Sequence, residues 1–351
     1  MPIAPRIIVI GASAGGLEAL DHLLGQLPTD IPAAIIIVQH MAPEISGSVL
    51  VSTLAKYRAF DARLATDGEA FRSGRVYIAP PDSHLLIKGS RLLVTKGARE
   101  NRYRPGIDPL FRSAAVTHGP GVIGVVLTGM LDDGTAGLSA ITRCGGTTVV
   151  QDPKDAAYPS MPQSALDNLK IDFCVPLGQM GPLLDRLARA KVKRRVPIPK
   201  DIRTEAIIAE RVLSDVGQVE GLGQQVPYNC PNCGGVLWEL KTTDLQRYRC
   251  HTGHSFTSAA LLASQSEKVE ETLWISLRMF EERKNLLNSM AKSDTRTVGR
   301  ASYARRAKDA EVHIERIREM LLASQSGVSE EVSAKAPTRK PGTRRRQALR
   351  A

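Results

Sequence analysis

The segment Ile8-Val-Ile-Gly-Ala-Ser-Ala-Gly-Gly-Leu-Glu-Ala-Leu20 is the strongest indication of the fold, because an apolar strand runs through a glycine-rich turn into a helical pattern. Further along the chain, apolar runs such as 34–38 and 122–127 alternate with helical patterns up to about residue 190. Continuous apolar runs are typical of strands buried on both faces of a parallel sheet. The alternation therefore predicts a doubly wound, mostly parallel α/β domain over residues 1–190.

Strands and helices can be placed individually in this domain. The predicted strands are Ile7–Gly11, Ala34–Gln39, Arg75–Ala79, Leu92–Thr95, Val122–Thr128, Thr147–Gln151 and Phe173–Pro176. The predicted helices are Gly16–Gln26, Ile45–Tyr57, Pro109–Thr117, Thr135–Arg143 and Pro162–Leu169. A β-hairpin that turns at Gly89 is expected within the series.

The glycine-rich turn has two competing interpretations. A dinucleotide-binding turn requires G-x-G-x-x-G and an acidic residue about 20 positions later. Here Ser13 occupies the second glycine position, and the next strand ends in His40, so no NAD is expected. The alternative is a G-x-S-x-G turn, in which small neighbours let a serine hydroxyl project and a helix N-terminus favours negative charge. On the motif alone, a serine that caps the helix is an equally good interpretation.

Two other strand ends carry polar residues. His40 follows the second strand directly, and the strand that ends at Thr128 leads to two adjacent aspartates, Asp132 and Asp133. Ligands of open α/β sheets gather at the carboxyl ends of the strands, where the strand order reverses. We therefore expect Ser13, His40 and one of the aspartates to form a nucleophile, base and carboxylate triad. The residues alone do not choose between the two aspartates.

Several stretches, in order and at family-like spacing, resemble the catalytic domain of the CheB-type protein-glutamate methylesterases over about residues 1–185. They are Ile10–Gly16, Gln39–Met41, Val76–Pro80, Tyr103–Phe111, Leu127–Gly134, Gln151 and Ser160–Pro162. The resemblance implies Ser13 as the nucleophile, His40 as the base and Asp133, rather than Asp132, as the carboxylate. It also implies hydrolysis of glutamate γ-methyl esters on a methylated chemoreceptor in chemotaxis-type phosphorelay signalling, with glutamine deamidation as a second activity and no catalytic cofactor.

The same resemblance suggests residues that contact the substrate. The backbone N–H groups of Ala14 and Met130 are expected to hold the oxyanion. Arg104 is expected either to contact acidic groups of the substrate or to form a structural ion pair, and His84 is expected to be structural. The best-known family members carry an N-terminal phospho-receiver domain, whereas this chain starts at the catalytic segment. We therefore expect no control by phosphorylation in cis.

A second group of residues has metal-ligand spacing. Cys230-Pro-Asn-Cys233 is followed by Cys250-His-Thr-Gly-His254, and two cysteines two residues apart are typical of one side of a tetrahedral site. The spacing predicts a structural Zn²⁺ bound by Cys230, Cys233, Cys250 and His254, with His251 as the alternative to His254. A reduced pair of thiols without metal is the other interpretation.

The rest of the chain divides by composition. We predict a linker over 191–225, with a short helix at 201–214 and a glycine-rich part at 217–225. A zinc-ribbon-like unit follows at 226–258, then a helical hairpin at 259–325. A disordered basic tail is expected over 326–351.

Charge and hydropathy narrow the functional classes. The formal net charge is +11, from 47 Lys+Arg against 36 Asp+Glu, but much of the excess lies in two short runs, 191–195 and 340–346. Such runs are usually solvated linkers and tails, so nucleic acid is not the expected partner. No apolar run approaches the roughly 20 residues that span a bilayer. We expect a cytoplasmic enzyme without membrane insertion.

A different functional class is also compatible with the sequence. The chain would then be a catalytically silent interaction or regulatory protein, with a degenerate esterase domain and a zinc-ribbon docking module. Intact Ser13, His40 and Asp133 argue against this alternative.

Overall fold

A computed structural model of the chain describes residues 6–41, 51–52, 61–211, 216–241 and 245–331. The chain divides into two compact units, Met1–Gln265 and Ser266–Ala351. Among the described residues, every helix is either too short or too polar to cross a bilayer.

The first unit is built on a seven-stranded sheet. Its strands are β1 (Arg6–Ala12), β2 (Ala33–Gln39), β3 (Asp61–Leu64), β4 (Arg75–Ile78), β7 (Val122–Val126), β8 (Thr147–Gln151) and β9 (Phe173–Val175). The strand order is β3-β4-β2-β1-β7-β8-β9, and all neighbouring pairs are parallel. Between β4 and β7 the chain forms an antiparallel hairpin, β5 (His84–Lys88) and β6 (Arg91–Thr95), as predicted.

Helices cover both faces of this sheet. The helices α1 (Gly16–Gln26) and α5 (Leu177–Arg189) pack on one face with Ile8 and Ile10 of β1. On the other face, α2 (Ile107–His118), α3 (Thr135–Arg143) and α4 (Ser160–Asn168) pack with Ile7 and Val9. A short 3-10 turn, Gly119–Gly121, joins α2 to β7. The predicted doubly wound α/β fold is confirmed.

The strand order reverses beside β1, which pairs with β2 on one side and β7 on the other. The chain therefore opens a crevice at the carboxyl ends of these three strands, where α/β proteins bind ligands. Close packing at this edge depends on Gly11, because a Cβ there would lie 2.4 Å from Cγ2 of Ile107. Gly11 thus lets the N-terminus of α2 reach the crevice.

A four-stranded antiparallel sheet forms the remainder of the first unit. Two helices, α6 (Lys200–Arg211) and α7 (Val216–Glu220), precede the strands β10 (Gly223–Asn229), β11 (Val236–Leu240), β12 (Arg247–Cys250) and β13 (Ser255–Thr257). Leu237, Tyr248 and Phe256 are buried in its core.

The segment 191–225 differs from the predicted linker. It contains α6, α7 and the start of β10, and Ile202 and Ile208 of α6 are buried. Gly223, one of the glycines that suggested a linker, has a packing role here. A Cβ on Gly223 would lie 2.0 Å from the carbonyl oxygen of Glu239, so glycine lets β10 approach β11 closely.

The second unit is a helical hairpin, as predicted. It comprises α8 (Ser258–Ser293), whose first turns belong to the first unit, and α9 (Thr297–Glu331). The rings of Phe280 and His313 lie 5.0 Å apart, and Arg318 pairs with Glu281 at 2.7 Å. Because α9 continues to Glu331, the predicted start of the tail at residue 326 is wrong. Residues 332–351 lie outside the described part.

Other differences concern single elements. Strand β3 and helix α5 were not predicted, and α2 and α4 begin two residues before their predicted starts. The predicted helix over 45–57 lies outside the described residues, except for Val51 and Ser52, which are helical.

A buried ionic network joins parts of the first unit that are distant in sequence. Glu205 of α6 pairs with Arg247 and Arg249 of β12 at 2.7 and 2.9 Å. Arg112 of α2 lies 3.4 Å from Glu205 and 2.7 Å from Glu100, which Arg249 also contacts at 3.0 Å. All five side chains are nearly inaccessible to solvent. Removing one member leaves the others as uncompensated buried charges, which is strongly destabilising.

We predict that Glu205→Gln lowers the free energy of unfolding by about 3–5 kcal/mol, as expected for breaking a buried ion pair. Glu210→Gln is the matched control on the same helix, because Glu210 pairs with Lys88 at the surface, and it should cost less than about 1 kcal/mol. Urea unfolding at pH 6 checks both values. Equal effects of the two substitutions would contradict the assigned importance of the network.

The ionic network also makes the free energy of unfolding depend on pH. Burial opposes ionisation of Glu100, but Arg112 and Arg249 outweigh it and lower its pKa from 4.5 to about 2. The pKa of Glu205 is lowered likewise, because Arg247 and Arg112 outweigh burial. The stabilisation is therefore complete above pH 4.5 and is lost as the pH falls toward the folded-state pKa. The stability gap between wild type and Glu205→Gln should be smaller at pH 3 than at pH 6.

Candidate active site

Three side chains from different strand ends meet at the crevice. His40 Nδ1 lies 3.2 Å from Ser13 Oγ, and His40 Nε2 lies 2.9 Å from Asp133 Oδ2. Ser13 follows β1, His40 follows β2, and Asp133 lies in the loop after β7. Since Nε2 faces an ionised carboxylate, it carries the ring proton, and Nδ1 is left as the acceptor toward the serine. The chain thus holds a hydroxyl, an imidazole and a carboxylate in a hydrogen-bonded row.

Backbone contacts fix the nucleophile turn against its neighbours. The N–H of Ser13 donates to Thr128 O at 3.1 Å, and the N–H of His40 donates to Ala12 O at 3.0 Å. Gln39 Nε2 donates to Ser13 O at 2.8 Å. A Cβ on Gly16 would lie 2.1 Å from Gln39 Oε1, so this contact requires glycine at the helix start. Hydrogen bonds therefore fix the loops after β1, β2 and β7 relative to one another.

The Asp133 carboxylate accepts five hydrogen bonds. Its Oδ2 accepts from His40 Nε2 and from the N–H of Ile107 at 2.8 Å. Its Oδ1 accepts from Asn101 Nδ2 at 3.0 Å and from the backbone N–H groups of Asp108 and Gly134 at 3.3 and 3.0 Å. Burial opposes its ionisation, but the hydrogen bonds from His40, Ile107 and Asn101 hold its pKa below the ordinary value. Asp133 is therefore the ionised partner of the imidazole.

Asp133 and Asp108 cap each other's helices. Asp133 accepts from the first N–H groups of α2, and Asp108 Oδ1 accepts from Gly134 and Gly137 at the start of α3, at 3.0 and 2.6 Å. The N-terminus of α2 favours the negative charge on Asp133. Burial and the nearby Asp133 charge raise the pKa of Asp108 to about 8. The neighbouring Asp132, which its strand-end position alone does not separate from Asp133, makes no contact with His40 among the described residues, and burial raises its pKa to about 6.

Two residues that the sequence analysis missed complete the surroundings of the triad. The Tyr103 ring stacks on His40, with centroids 3.7 Å apart and planes inclined by 12°. Asn101 lies between Asp133 and Asp108, to which its Nδ2 donates at 3.0 and 2.9 Å. Both residues belong to or adjoin the stretch that resembles the family motif, but no spacing rule assigns a stacking ring or a bridging amide.

The loop after β7 also lies against the nucleophile. A Cβ on Gly129 would sit 2.8 Å from Ser13 Cβ, so only glycine permits this approach. Within the described residues, the backbone N–H groups of Ala14 and Met130 donate to no protein acceptor, and the Met130 side chain is exposed. These N–H groups are therefore available to an oxyanion, and their predicted role stays a prediction.

Arg104 and His84 hold the loop that leads to Tyr103. Arg104 Nη2 pairs with Asp82 Oδ1 at 2.6 Å, and Nη1 donates to Gly97 O at 3.0 Å. This is the structural ion pair that the sequence left as the alternative to a substrate contact. His84 is buried, donates from Nε2 to Ala98 O and accepts from the N–H of Gly106. Burial lowers its pKa, so the ring is neutral, in agreement with the expected structural role.

The cysteines and histidine of the second sheet form a compact group. Ligand atoms of Cys230, Cys233, Cys250 and His254 all lie within 4.8 Å of one another. Cys233 Sγ lies 3.7 Å from Cys250 Sγ, which lies 3.5 Å from His254 Nδ1. Tetrahedral zinc with ordinary bond lengths requires edges of about 3.8 Å between sulfurs and about 3.5 Å from sulfur to nitrogen. The group, with His254 as its fourth member, could therefore hold a structural metal ion.

Comparison with known proteins identifies the family. The model of the CheB methylesterase family matches residues 8–184, half of the chain. This chain belongs to the CheB methylesterase family. The match ends before α6, so it includes Ser13, His40 and Asp133 but neither α6 nor the Cys/His group.

Individual relatives agree with this assignment. A Leptospira interrogans protein, provisionally named a protein-glutamate methylesterase/protein-glutamine glutaminase, is 39% identical over 189 residues, which are 54% of this chain and 97% of the relative. An Anaeromyxobacter dehalogenans protein of the same named activity is 40% identical over 188 residues, 52% of this chain and 51% of the relative. The crystal structure of the Thermotoga maritima CheB methylesterase catalytic domain matches with a TM-score of 0.51 and 34% identity, over 53% of this chain and all of that domain.

We predict that Tyr103→Ala lowers the turnover of an ester substrate by about tenfold or more, because the imidazole loses the ring that fixes its plane. Tyr103→Phe is the matched control, since it keeps the stacked ring, and it should lose much less. Steady-state hydrolysis of p-nitrophenyl acetate by the purified variants checks the order. Equal losses of turnover in Tyr103→Phe and Tyr103→Ala would show that the hydroxyl, rather than ring stacking, is responsible.

Proposed function

We propose that this protein is a protein-glutamate methylesterase that uses Ser13 as nucleophile, His40 as base and Asp133 as the orienting carboxylate. The observation that carries the proposal is the hydrogen-bonded row from Ser13 Oγ through His40 to Asp133, with contacts of 3.2 and 2.9 Å. Its location at the carboxyl ends of β1, β2 and β7 supports it. The names of the relatives supply the substrate class, a glutamate γ-methyl ester.

Acylation begins when Ser13 Oγ attacks the ester carbonyl and its proton passes to His40 Nδ1. The carbonyl π electrons move to oxygen, and the backbone N–H groups of Ala14 and Met130 donate to the resulting oxyanion. Collapse of the tetrahedral intermediate breaks the bond to methoxide, which takes the proton from His40 and leaves as methanol. The glutamyl group remains esterified to Ser13.

Deacylation repeats the sequence with water. His40 Nδ1 takes a proton from water, the hydroxide attacks the acyl carbonyl, and Ser13 Oγ leaves with the proton from His40. The products are glutamate and free enzyme. A glutamine side chain follows the same path with ammonia as the first leaving group, which matches the second activity in the relatives' names. Each step uses side chains, backbone N–H groups and water.

Asp133 contributes by fixing the tautomer of His40. We predict that Asp133→Asn lowers kcat by about ten-thousandfold, because the amide N–H can face Nε2 and leave the ring proton on Nδ1. Asp132→Asn is the matched neighbour and should retain activity within about tenfold. Methanol release by both purified variants provides the measurement. Comparable loss in both variants would contradict the choice of Asp133.

The proposed substrate is a methylated chemoreceptor or a similar signalling array, and we infer that the enzyme acts on it in the cytoplasm. The direct test measures methanol released from membranes that carry methylated receptor. Wild type should release methanol, Ser13→Ala should release none above background, and Ser293→Ala, at an exposed serine of α8, should match wild type. Methanol release by Ser13→Ala would exclude the proposed nucleophile.

We also propose that the Cys/His group binds one structural Zn²⁺. Three thiolates and one imidazole fill all four positions, so such a site would be closed and would not bind substrate. Purified protein should contain about one zinc per chain, and Cys233→Ser should lose it. Cys174→Ser, at an exposed cysteine outside the group, should keep the metal. Metal analysis that finds no zinc in wild type would favour the alternative of free thiols.

A further inference from the structure

A loop of the catalytic domain joins the sheet that carries the Cys/His group. The N–H of Asn101 donates to Ser255 O at 2.8 Å, and the N–H of Ser255 lies 3.4 Å from Arg99 O. Glu100 pairs with Ser255 as a parallel bridge at the edge of β13. The N–H of Thr257 donates to the Asn101 side chain at 3.0 Å. The loop is therefore held by β13 through both its backbone and a side chain.

The Asn101 amide connects this strand to the triad. Its Oδ1 accepts from Thr257, which leaves Nδ2 to donate to Asp133 and Asp108. An amide has one acceptor and one donor group, so the donor on Thr257 determines which end faces the carboxylates. The Asn101 side chain is thus hydrogen-bonded to β13 at one end and to Asp133 at the other, so the position of β13 affects the position of the carboxylate.

The backbone at this point depends on its surroundings. Asn101 and Arg102 have φ angles of 48° and 76°, in the left-handed region that most residues avoid. Such conformations persist when neighbouring structure fixes them. Here β13 supplies the hydrogen bonds, and Glu100 is anchored to Arg249 of β12 at 3.0 Å.

We propose that the four-stranded sheet with the Cys/His group positions the catalytic carboxylate, and that Asn101 is the positioning residue that links β13 to Asp133. The inference rests on the proposed role of Asp133. Loss of order in this sheet, for example on loss of a bound metal, then lowers Ser13 reactivity without any contact between the sheet and the substrate. A sheet that only adds stability would not act through Asn101.

A double-mutant cycle distinguishes a sheet that acts through Asn101 from a sheet that only adds stability. The variants are Asn101→Gly, which deletes the amide and keeps the left-handed backbone, Cys233→Ser, and the double variant, all in the full-length chain. Cys174→Ser is the control for replacing a cysteine. The readout is the rate at which an alkyl fluorophosphonate labels Ser13. The serine oxygen displaces fluoride from phosphorus while its proton passes to His40, so the rate reports triad geometry and not the natural substrate.

We expect Asn101→Gly to slow labelling by about tenfold or more, as misplacement of a catalytic group does. Cys233→Ser alone should slow labelling by a similar factor. Added to the Asn101→Gly variant, it should slow labelling by less than about twofold. Cys174→Ser should label at the wild-type rate. In p-nitrophenyl acetate hydrolysis, Asn101→Gly should lower kcat and leave KM unchanged.

Equal slowing by Cys233→Ser with and without the Asn101→Gly substitution would overturn the inference, because the sheet would then act without Asn101. If Cys233→Ser yields no folded protein, Asn101→Gly decides alone, and a wild-type kcat for this variant overturns the inference. Wild type that does not label at Ser13 would overturn the triad proposal and this inference together. Labelled wild type that releases no methanol from receptor would overturn only the proposed substrate.

Discussion

The structure depends on a buried negative charge at Asp133. An ionised carboxylate is costly to bury unless its oxygens are fully hydrogen-bonded. Five N–H groups satisfy this one, from His40, from the start of α2 at Ile107 and Asp108, from Asn101 and from Gly134. These donors belong to the imidazole of His40, to helix α2, to the loop at Asn101 and to the start of α3, so the charge fixes where these parts lie. The hydrogen bonds that stabilise the buried carboxylate are therefore also the ones that fix the catalytic geometry.

The sheet makes this convergence possible. Reversal of the strand order beside β1 opens a crevice at the carboxyl ends of β1, β2 and β7. Small residues then let the elements approach: Gly11 admits Ile107, and Gly129 admits the Cβ of Ser13. The reciprocal capping of α2 and α3 by Asp133 and Asp108 directs two helix N-termini at the site. Preorganised donors of this kind cost no rearrangement during the reaction.

Parts of this arrangement follow directly from sequence patterns, and others do not. The bounds of α1 and α3 were predicted correctly because glycine or turn residues mark both ends of each apolar pattern. The strand-end rule brought Ser13 and His40 together, but it could not separate Asp132 from Asp133, since neighbouring residues share a strand end. The family resemblance selected Asp133, and the donors around its carboxylate give the physical reason. Asn101 and Gly223 escaped prediction because their roles depend on partners that are distant in sequence, Thr257 and Glu239.

Catalysis by this triad depends on which nitrogen of His40 faces the serine. With Nδ1 3.2 Å from Ser13 Oγ and Nε2 2.9 Å from Asp133, the neutral ring must carry its proton on Nε2. Nuclear magnetic resonance of the protein labelled with ¹⁵N-histidine, assigned by comparison with His40→Gln, tests this directly. We expect a strongly hydrogen-bonded proton on Nε2 and an unprotonated Nδ1. A proton on Nδ1, or a His40 Nε2 signal that Asp133→Asn leaves unchanged, would contradict it.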